Sequence, residues 1–105
     1  MATKKLWEIL VPSHSNEGKV YQLTYHREWD DKVRKITGGL TIFKTVKGQW
    51  ISQEGEILFD RMIPVRIYCT ENEINQIIQL TLKHYAQKAI LAYEISSNVK
   101  LVHRR

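Results

Sequence analysis

The stretch IPVRIYCTENEINQIIQLTLKHY, residues 63–85, joins a strand directly to a helix and decides the fold. From Ile63 to Cys69 every second residue is apolar, which predicts a strand with one buried face. Thr70 and Glu73 then form a capping box, in which each side chain pairs with the other residue's backbone N–H at a helix start. The helix that follows buries one face, because its mostly apolar positions recur every three or four residues: Ile74, Ile77, Ile78, Thr81, Leu82 and Tyr85.

Three further elements precede this stretch and one follows it. The run from Leu6 to Val11 predicts a buried strand. An earlier helix, ended by Gly38 and Gly39, is predicted by positions spaced by three or four residues: Leu23, His26, Trp29, Val33 and Ile36. Segments 40–52 and 57–69, joined by QEGE at 53–56, predict a long hairpin, and the apolar run 89–95 predicts the last strand.

Two positions predict irregularities in the hairpin. Lys47-Gly48 marks a bend or a bulge in its first strand. Pro64 has no N–H to donate to a neighbouring strand. Either it lies at a bulge, or the outer half of the hairpin leaves the sheet near it.

The order strand–helix–strand–strand–helix–strand predicts a ferredoxin-like α+β fold, a four-stranded antiparallel sheet with both helices on one face. The strands are apolar on the opposite face as well, where we expect Leu6, Leu10, Phe43, Met62, Tyr68, Ile90 and Ala92. A large exposed apolar face indicates association. The sequence therefore predicts a homo-oligomer formed through the sheet.

Length, cysteine content and charge limit the kind of protein this is. Its 105 residues fit one domain, folded from about residue 5 to 100 with a short basic tail at each end, and one cysteine excludes a disulfide framework. The sequence has no signal-peptide pattern and no run of about 20 apolar residues, so we expect a cytoplasmic protein without membrane contact. The net charge of +5 equals the charge of five basic tail residues, which argues against a nucleic-acid partner: Lys4, Lys5, Lys100, Arg104 and Arg105.

Polar and aromatic residues at two places favour ligand contact. Gln49 and Trp50 follow a glycine in a strand, where a ring beside an amide suits a flat ligand, although Trp50 could equally pack against a neighbouring subunit. Gln87 follows a helix end, where its amide either contacts a ligand or caps unpaired helix carbonyls. Asp60 and Arg61 are adjacent in a strand, which favours cross-strand or intersubunit ion pairs over catalytic roles.

His26 precedes Asp30 by one helical turn. An Asp–His pair supports general-base chemistry, which makes His26 a catalytic candidate; the alternative is a hydrogen-bonded packing residue. The other histidines and the cysteine lack metal-ligand spacing, and the sequence has no phosphate-binding glycine loop. We therefore expect neither a metal nor a cofactor.

Several short motifs resemble those of a family of uncharacterised bacterial and phage proteins. They are GLT at 39–41, GQW at 48–50, the glycine at 55, and QKAI at 87–90, within a match that spans about residues 29 to 95. This resemblance implies no activity.

The order and spacing of residues also resemble the phage S-adenosylmethionine lyases, which are trimers with a PII-like fold that bind their ligand between subunits. The matching parts are the strand VRIYC at 65–69, the pair Gly48 and Trp50, and Gln87 before the strand at 90–93. The resemblance implies a trimer rather than a dimer, a ligand contact at Gln87, and an acid at either Glu54 or Glu56.

Three functional hypotheses follow. The first is a small-molecule-binding homo-oligomer with PII-like clefts between subunits, lined by Gln49, Trp50, Glu54, Arg61, Tyr85 and Gln87. The second is an enzyme of the same shape, a lyase acting on a nucleoside-like sulfonium compound. The third is a phage or plasmid interaction module whose hairpin docks on a host target, although its polar tip argues against this. The sequence leaves open the ligand and whether the protein is an enzyme.

Overall fold

Seven elements make up the computed structural model, which describes residues 2–104. In chain order they are β1 (Lys4–Pro12), α1 (Leu23–Thr37), β2 (Thr41–Ile42), β3 (Val46–Ile51), β4 (Ile57–Thr70), α2 (Glu71–His84) and β5 (Ala92–Ser96). The strands are antiparallel and lie in the order β2–β4–β1–β5, with β3 beside the outer half of β4. The predicted ferredoxin-like α+β fold is confirmed.

Both helices begin or end at the residues that the sequence indicates. The Thr70 hydroxyl accepts from the Glu73 N–H at 3.2 Å, and the Glu73 carboxylate accepts from the Thr70 N–H at 2.9 Å. This capping box satisfies two backbone donors at the start of α2. Gly38 ends α1 with a φ of 89°, and its N–H donates to the Arg34 carbonyl at 2.8 Å. A glycine adopts this left-handed conformation without strain.

The core lies between the helices and one face of the sheet. Alternate residues of the two central strands point at the helices: Ile9, Val11, Val65, Ile67 and Cys69. The helices contribute Trp29 and Val33 from α1, and Ile74 and Ile77 from α2. Between the helices, the indole N–H of Trp29 donates to the buried Thr81 hydroxyl at 3.0 Å. The core therefore pairs its polar atoms as well as burying its apolar ones.

The predicted second strand is divided into β2 and β3 by residues 43–45. Ile42 pairs with Val65 and Val46 pairs with Met62, so the outer strand has one more residue than β4 in this interval. Pro64 lies in the same interval, as the predicted bulge requires, and beyond Met62 the outer half of β4 leaves β1 and pairs only with β3. The Pro64 carbonyl still accepts a hydrogen bond from the outer strand, at 2.9 Å.

The bend predicted at Lys47-Gly48 is wrong. Lys47 pairs with Arg61 and Gly48 pairs with Asp60 inside regular β3. The interruption falls earlier along the chain, opposite the proline. The role of Gly48 is a close side-chain approach, described below.

Three smaller predictions also differ from the structure. Lys4 and Lys5 belong to β1 rather than to a tail, and Lys5 Nζ lies 3.1 Å from Glu94 Oε1. The last strand begins at Ala92, later than predicted. Leu23 is exposed although its spacing places it on the buried side of α1. Within residues 2–104, no helix has the length and apolar character needed to cross a membrane.

Candidate functional site

A cleft runs along the β3–β4 hairpin, from Lys47 and Arg61 to Trp50 and Leu58. Its larger part is a cavity of about 630 Å³ between the hairpin and the β1–α1 loop (residues 13–22). Its smaller part, about 360 Å³, continues towards Leu10 and Ile90. Both parts are lined by the same four residues, which we use to define the cleft: Pro12, Trp50, Asp60 and Gln87. Residues that are distant in sequence therefore meet around one space.

Gln87 reaches the cleft from the end of α2. Its backbone N–H donates to the Leu82 carbonyl at 2.9 Å, which fixes the chain as it leaves the helix. Its side-chain Nε2 donates to the Tyr85 carbonyl at 3.0 Å and to Asn16 Oδ1 at 3.3 Å. Among residues 2–104 no hydrogen bond reaches Gln87 Oε1, although both amide hydrogens are used. One amide group thus caps the helix end and keeps an acceptor for another partner.

Trp50 forms one wall of the cleft from β3 and is 46% exposed in the single chain. Gly48 lies two residues earlier on the same face of the strand. A Cβ at Gly48 would lie 2.5 Å from Met62 Cε and 3.2 Å from Trp50 Nε1. An indole and a methionine side chain therefore pack across the Gly48 backbone, and a larger residue there would displace the end of Met62.

Charged groups line the larger cavity beside Trp50. Lys47 and Arg61 are directly paired across β3 and β4, and Asp60 precedes Arg61. Neither Asp60 nor Arg61 forms an ion pair within the described part of the chain. The larger cavity is therefore lined by two cationic residues from one face of the hairpin and by Trp50 and Asp60 from the other.

Five of the predicted site residues lie outside the cleft of their own chain, and three of them belong to the hairpin. Gln49 is on β3 opposite Phe59, and it does not line either cavity. Glu54 and Glu56 lie at the hairpin tip, where Gly55 adopts a φ of 83° and the Ser52 N–H donates to the Glu56 carbonyl at 2.8 Å. Neither Glu54 nor Glu56 lines either cavity, although Leu58, two residues after Glu56, does.

Tyr85 lies in the core and contacts the half-buried His26, and neither residue lines the cleft. Tyr85 is 1% exposed, and its hydroxyl lies 2.6 Å from His26 Nδ1. Burial raises the pKa of Tyr85, so its phenol is neutral at physiological pH. Burial lowers the pKa of His26, and the nearby Asp30 carboxylate opposes that shift. This placement favours the packing interpretation of His26 and excludes the Tyr85 side chain from the cleft wall.

Two cleft residues were not singled out by the sequence. His14 and Asn16 both line the larger cavity from the β1–α1 loop. His14 lacks metal-ligand spacing, and the loop is otherwise typical of a turn. The one indication in the sequence was the position of the loop. A polar loop that follows a central strand lies beside the strands that neighbour it.

Comparison with known proteins shows the class of fold. No protein-family profile and no curated protein sequence matches the chain. A phage SAM lyase in complex with S-methyl-5'-thioadenosine has a similar structure, with a TM-score of 0.70 and 10% identity over 94% of this chain and 85% of that one. The resemblance to phage S-adenosylmethionine lyases is confirmed at the level of fold.

CutA proteins share the same architecture. CutA of Xylella fastidiosa gives a TM-score of 0.69 and 13% identity over 95% of this chain and 88% of that one. The periplasmic divalent cation tolerance protein CutA of Archaeoglobus fulgidus gives a TM-score of 0.67 and 12% identity over 93% of this chain and 87% of that one. The chain therefore has the ferredoxin-like fold shared by CutA and PII-like proteins. At these identities the likeness concerns the fold alone.

Proposed function

We propose that this protein is a homo-oligomer that binds a nucleoside-like small molecule in the cleft. The observation that supports this most is the meeting of Trp50, Arg61 and Gln87 around one cavity of about 630 Å³. Small-molecule sites of about 300–1,000 Å³ with an apolar wall and a few directed polar groups are typical of proteins.

Each of these residues has a distinct role in the proposal. Trp50 stacks on a flat ring, Arg61 pairs with an anionic group, and Gln87 Oε1 accepts a hydrogen bond. In this proposal Gln49, Glu54 and Glu56 contact the ligand bound in the cleft of a neighbouring copy. Tyr85 and His26 have no part in it.

The hairpin supports the oligomeric half of the proposal. Its outer part is an arm of large apolar side chains exposed in the single chain: Val46, Trp50, Ile51, Ile57, Leu58 and Phe59. β5 adds Tyr93 and Ile95 on the other edge of the sheet. Exposed apolar surface of this extent favours burial against another copy, and the resemblance to the phage lyases favours three copies.

Calorimetric titration with 5'-methylthioadenosine tests the proposed site. Trp50→Ala should lower affinity at least about tenfold, while Trp50→Phe, which keeps a stacking face, should retain most of it. Because Trp50 is half exposed in the single chain, the variant should remain folded. A core tryptophan would instead cost about 3–5 kcal/mol on truncation. Gln87→Ala should weaken binding, and full affinity in both alanine variants would refute the cleft.

A lyase is the second candidate, favoured by the likeness to a phage SAM lyase that holds a methylthio nucleoside. The reaction would need little acid–base chemistry. The carboxylate of S-adenosylmethionine attacks its own γ-carbon, the carbon–sulfur bond breaks, and sulfur keeps the electron pair, so positioning supplies much of the rate. Incubation should yield methylthioadenosine and homoserine lactone, and Glu54→Gln or Glu56→Gln should slow turnover more than binding. No product at high enzyme concentration rejects the lyase and leaves the binding protein.

A further inference from the structure

A chain of hydrogen bonds connects His14 to the backbone of the hairpin. The Ser13 hydroxyl lies 3.0 Å from the Arg61 carbonyl oxygen and 2.7 Å from His14 Nδ1. The Ser13 N–H also donates to that carbonyl, at 3.1 Å. Ser13 is only 6% exposed, so these contacts are shielded from water.

The Ser13 hydroxyl has one proton to donate, and a backbone carbonyl only accepts. With that proton on the Arg61 carbonyl, the hydroxyl oxygen accepts from His14 and the imidazole proton lies on Nδ1. A neutral imidazole carries one N–H, so Nε2 then holds a lone pair. The opposite arrangement, in which the hydroxyl donates to Nδ1 and Nε2 carries the proton, leaves that carbonyl bonded only to the Ser13 N–H.

Nε2 belongs to a side chain that lines the larger part of the cleft. No group among residues 2–104 forms a hydrogen bond with it. The backbone of His14 is held by an antiparallel bridge to Val20, which closes the base of the β1–α1 loop. The imidazole is thus anchored on its Nδ1 side and free on its Nε2 side.

We propose that His14 is a ligand-binding residue whose Nε2 is an acceptor of fixed tautomer. The class of ligand that fits is one that presents an N–H or O–H donor, such as the amino group of a purine or a ribose hydroxyl. A ligand that presents an acceptor at this position leaves two lone pairs facing each other, which binding sites reject strongly. The ligand assignment rests on the proposed function, whereas the tautomer does not.

Nitrogen-15 NMR of the imidazoles in the full chain tests the tautomer directly. At about pH 8.5, where an ordinary imidazole is neutral, His14 should show a protonated Nδ1 and an unprotonated Nε2. The signal is assigned by its loss in His14→Asn. Ser13→Ala should remove the preference for the tautomer with its proton on Nδ1, whereas Ser97→Ala, at an exposed position, should leave it unchanged. An Nε2–H form in the native protein, or no response to Ser13→Ala, overturns the proposal.

Titration with 5'-methylthioadenosine tests the ligand contact. The Nε2 signal of His14 should shift on addition of the nucleoside, and His14→Asn should lower affinity about tenfold for one lost hydrogen bond. His14→Gln, which places an amide oxygen near the Nε2 position, should retain more affinity than His14→Asn. Binding that is unchanged in His14→Asn and leaves the Nε2 signal in place refutes the contact while the proposed function stands. No binding to the native protein refutes both the nucleoside-like ligand and this assignment.

Discussion

Arg66 Nε donates to Glu8 Oε1 at 2.9 Å on the face of the sheet that points away from the helices. The Tyr93 hydroxyl donates to the other carboxylate oxygen, and the Phe43 ring lies 4.9 Å from the Arg66 guanidinium carbon. Glu8 is 8% exposed although no helix covers it. A paired charge at the centre of an apolar face allows another copy to cover that face without stranding an unpaired ion.

Glu8→Gln should destabilise the fold in a pH-dependent way. Burial alone would raise the pKa of Glu8, but hydrogen bonds from Tyr93 and Arg66 outweigh it and hold the pKa below its ordinary value. The carboxylate therefore contributes stability above the ordinary pKa of 4.5, and this is lost as pH falls through the folded-state pKa. Near neutral pH, urea unfolding should give the variant a free energy of unfolding about 2 kcal/mol lower than that of the native protein. In acid this difference should disappear. Equal losses at both pH values would contradict this. Glu94→Gln is the control, since its ion pair with Lys5 is partly exposed and should matter little.

Ile51→Glu should dissociate the oligomer. Ile51 is 78% exposed in the single chain, so a charge there costs little in a monomer but is buried without a partner in an assembly. Light scattering should give a multiple of 12.4 kDa for the native protein and a single chain for the variant. Gln53→Glu, in the polar turn, is the control. A native monomer at micromolar concentration would refute the homo-oligomer. It would favour the interaction module, because the exposed apolar arm would then be available to bind another protein.

Gly48→Ala should weaken 5'-methylthioadenosine binding without unfolding the protein. The added methyl group would meet Met62 and the Trp50 indole, and the flexible Met62 end moves more readily than the backbone. Alanine also suits a strand better than glycine by about 0.5–1 kcal/mol, which offsets the crowding. We expect affinity to fall about tenfold and stability to change by less than about 1 kcal/mol. Gly39→Ala is the control, because no atom lies within 4 Å of its new carbon. It should alter neither the affinity for the nucleoside nor the stability. Unchanged affinity would show that Trp50 does not stack on the ligand.

Signals confined to neighbouring residues predicted the fold well. The Thr70–Glu73 box and the Gly38 cap act within one turn of helix, so the sequence displays both partners. Gly48 is the counterexample. A glycine in a strand indicates either a bend or a close approach, and the approach here involves Met62 from another strand. Only the register of β3 on β4 decides between the two.

The sequence predicted only part of the candidate site, because the rest depends on contacts between residues that are distant in sequence. Trp50, Arg61 and Gln87 meet in one cleft, as their order in the chain suggested. Tyr85 precedes Gln87 by two residues but points into the core, because the end of a helix turns successive side chains in different directions. His14 was passed over because its orientation depends on the Arg61 carbonyl, a backbone atom that no side-chain pattern reveals.

His26→Asn should remove a pH dependence of stability while leaving binding intact. Burial lowers the pKa of the folded histidine, so the unfolded chain takes up the proton first as pH falls through 6.5. Stability from His26 is therefore full above that value and lost below it. Burial raises the pKa of Asp30, so its protonation favours the folded state and opposes the loss in stronger acid. The free energy of unfolding, measured on either side of pH 6.5, should change less with pH in the variant than in the native protein. A loss of nucleoside binding would restore His26 as a site residue.

Ala86→Gly should stabilise the protein by about 1 kcal/mol. Ala86 is the one non-glycine among residues 2–104 with a positive φ, 50°, at the turn that follows α2. Its Cβ is strained there, and glycine relieves the strain. Ala89→Gly is the matched control, because that alanine is also exposed but has no positive φ. The control should lose a few tenths of a kcal/mol through added freedom of the unfolded chain. Thermal and urea unfolding of the two variants, compared with the native chain, should therefore move in opposite directions. Parallel shifts would mean that the turn before Gln87 stores no strain.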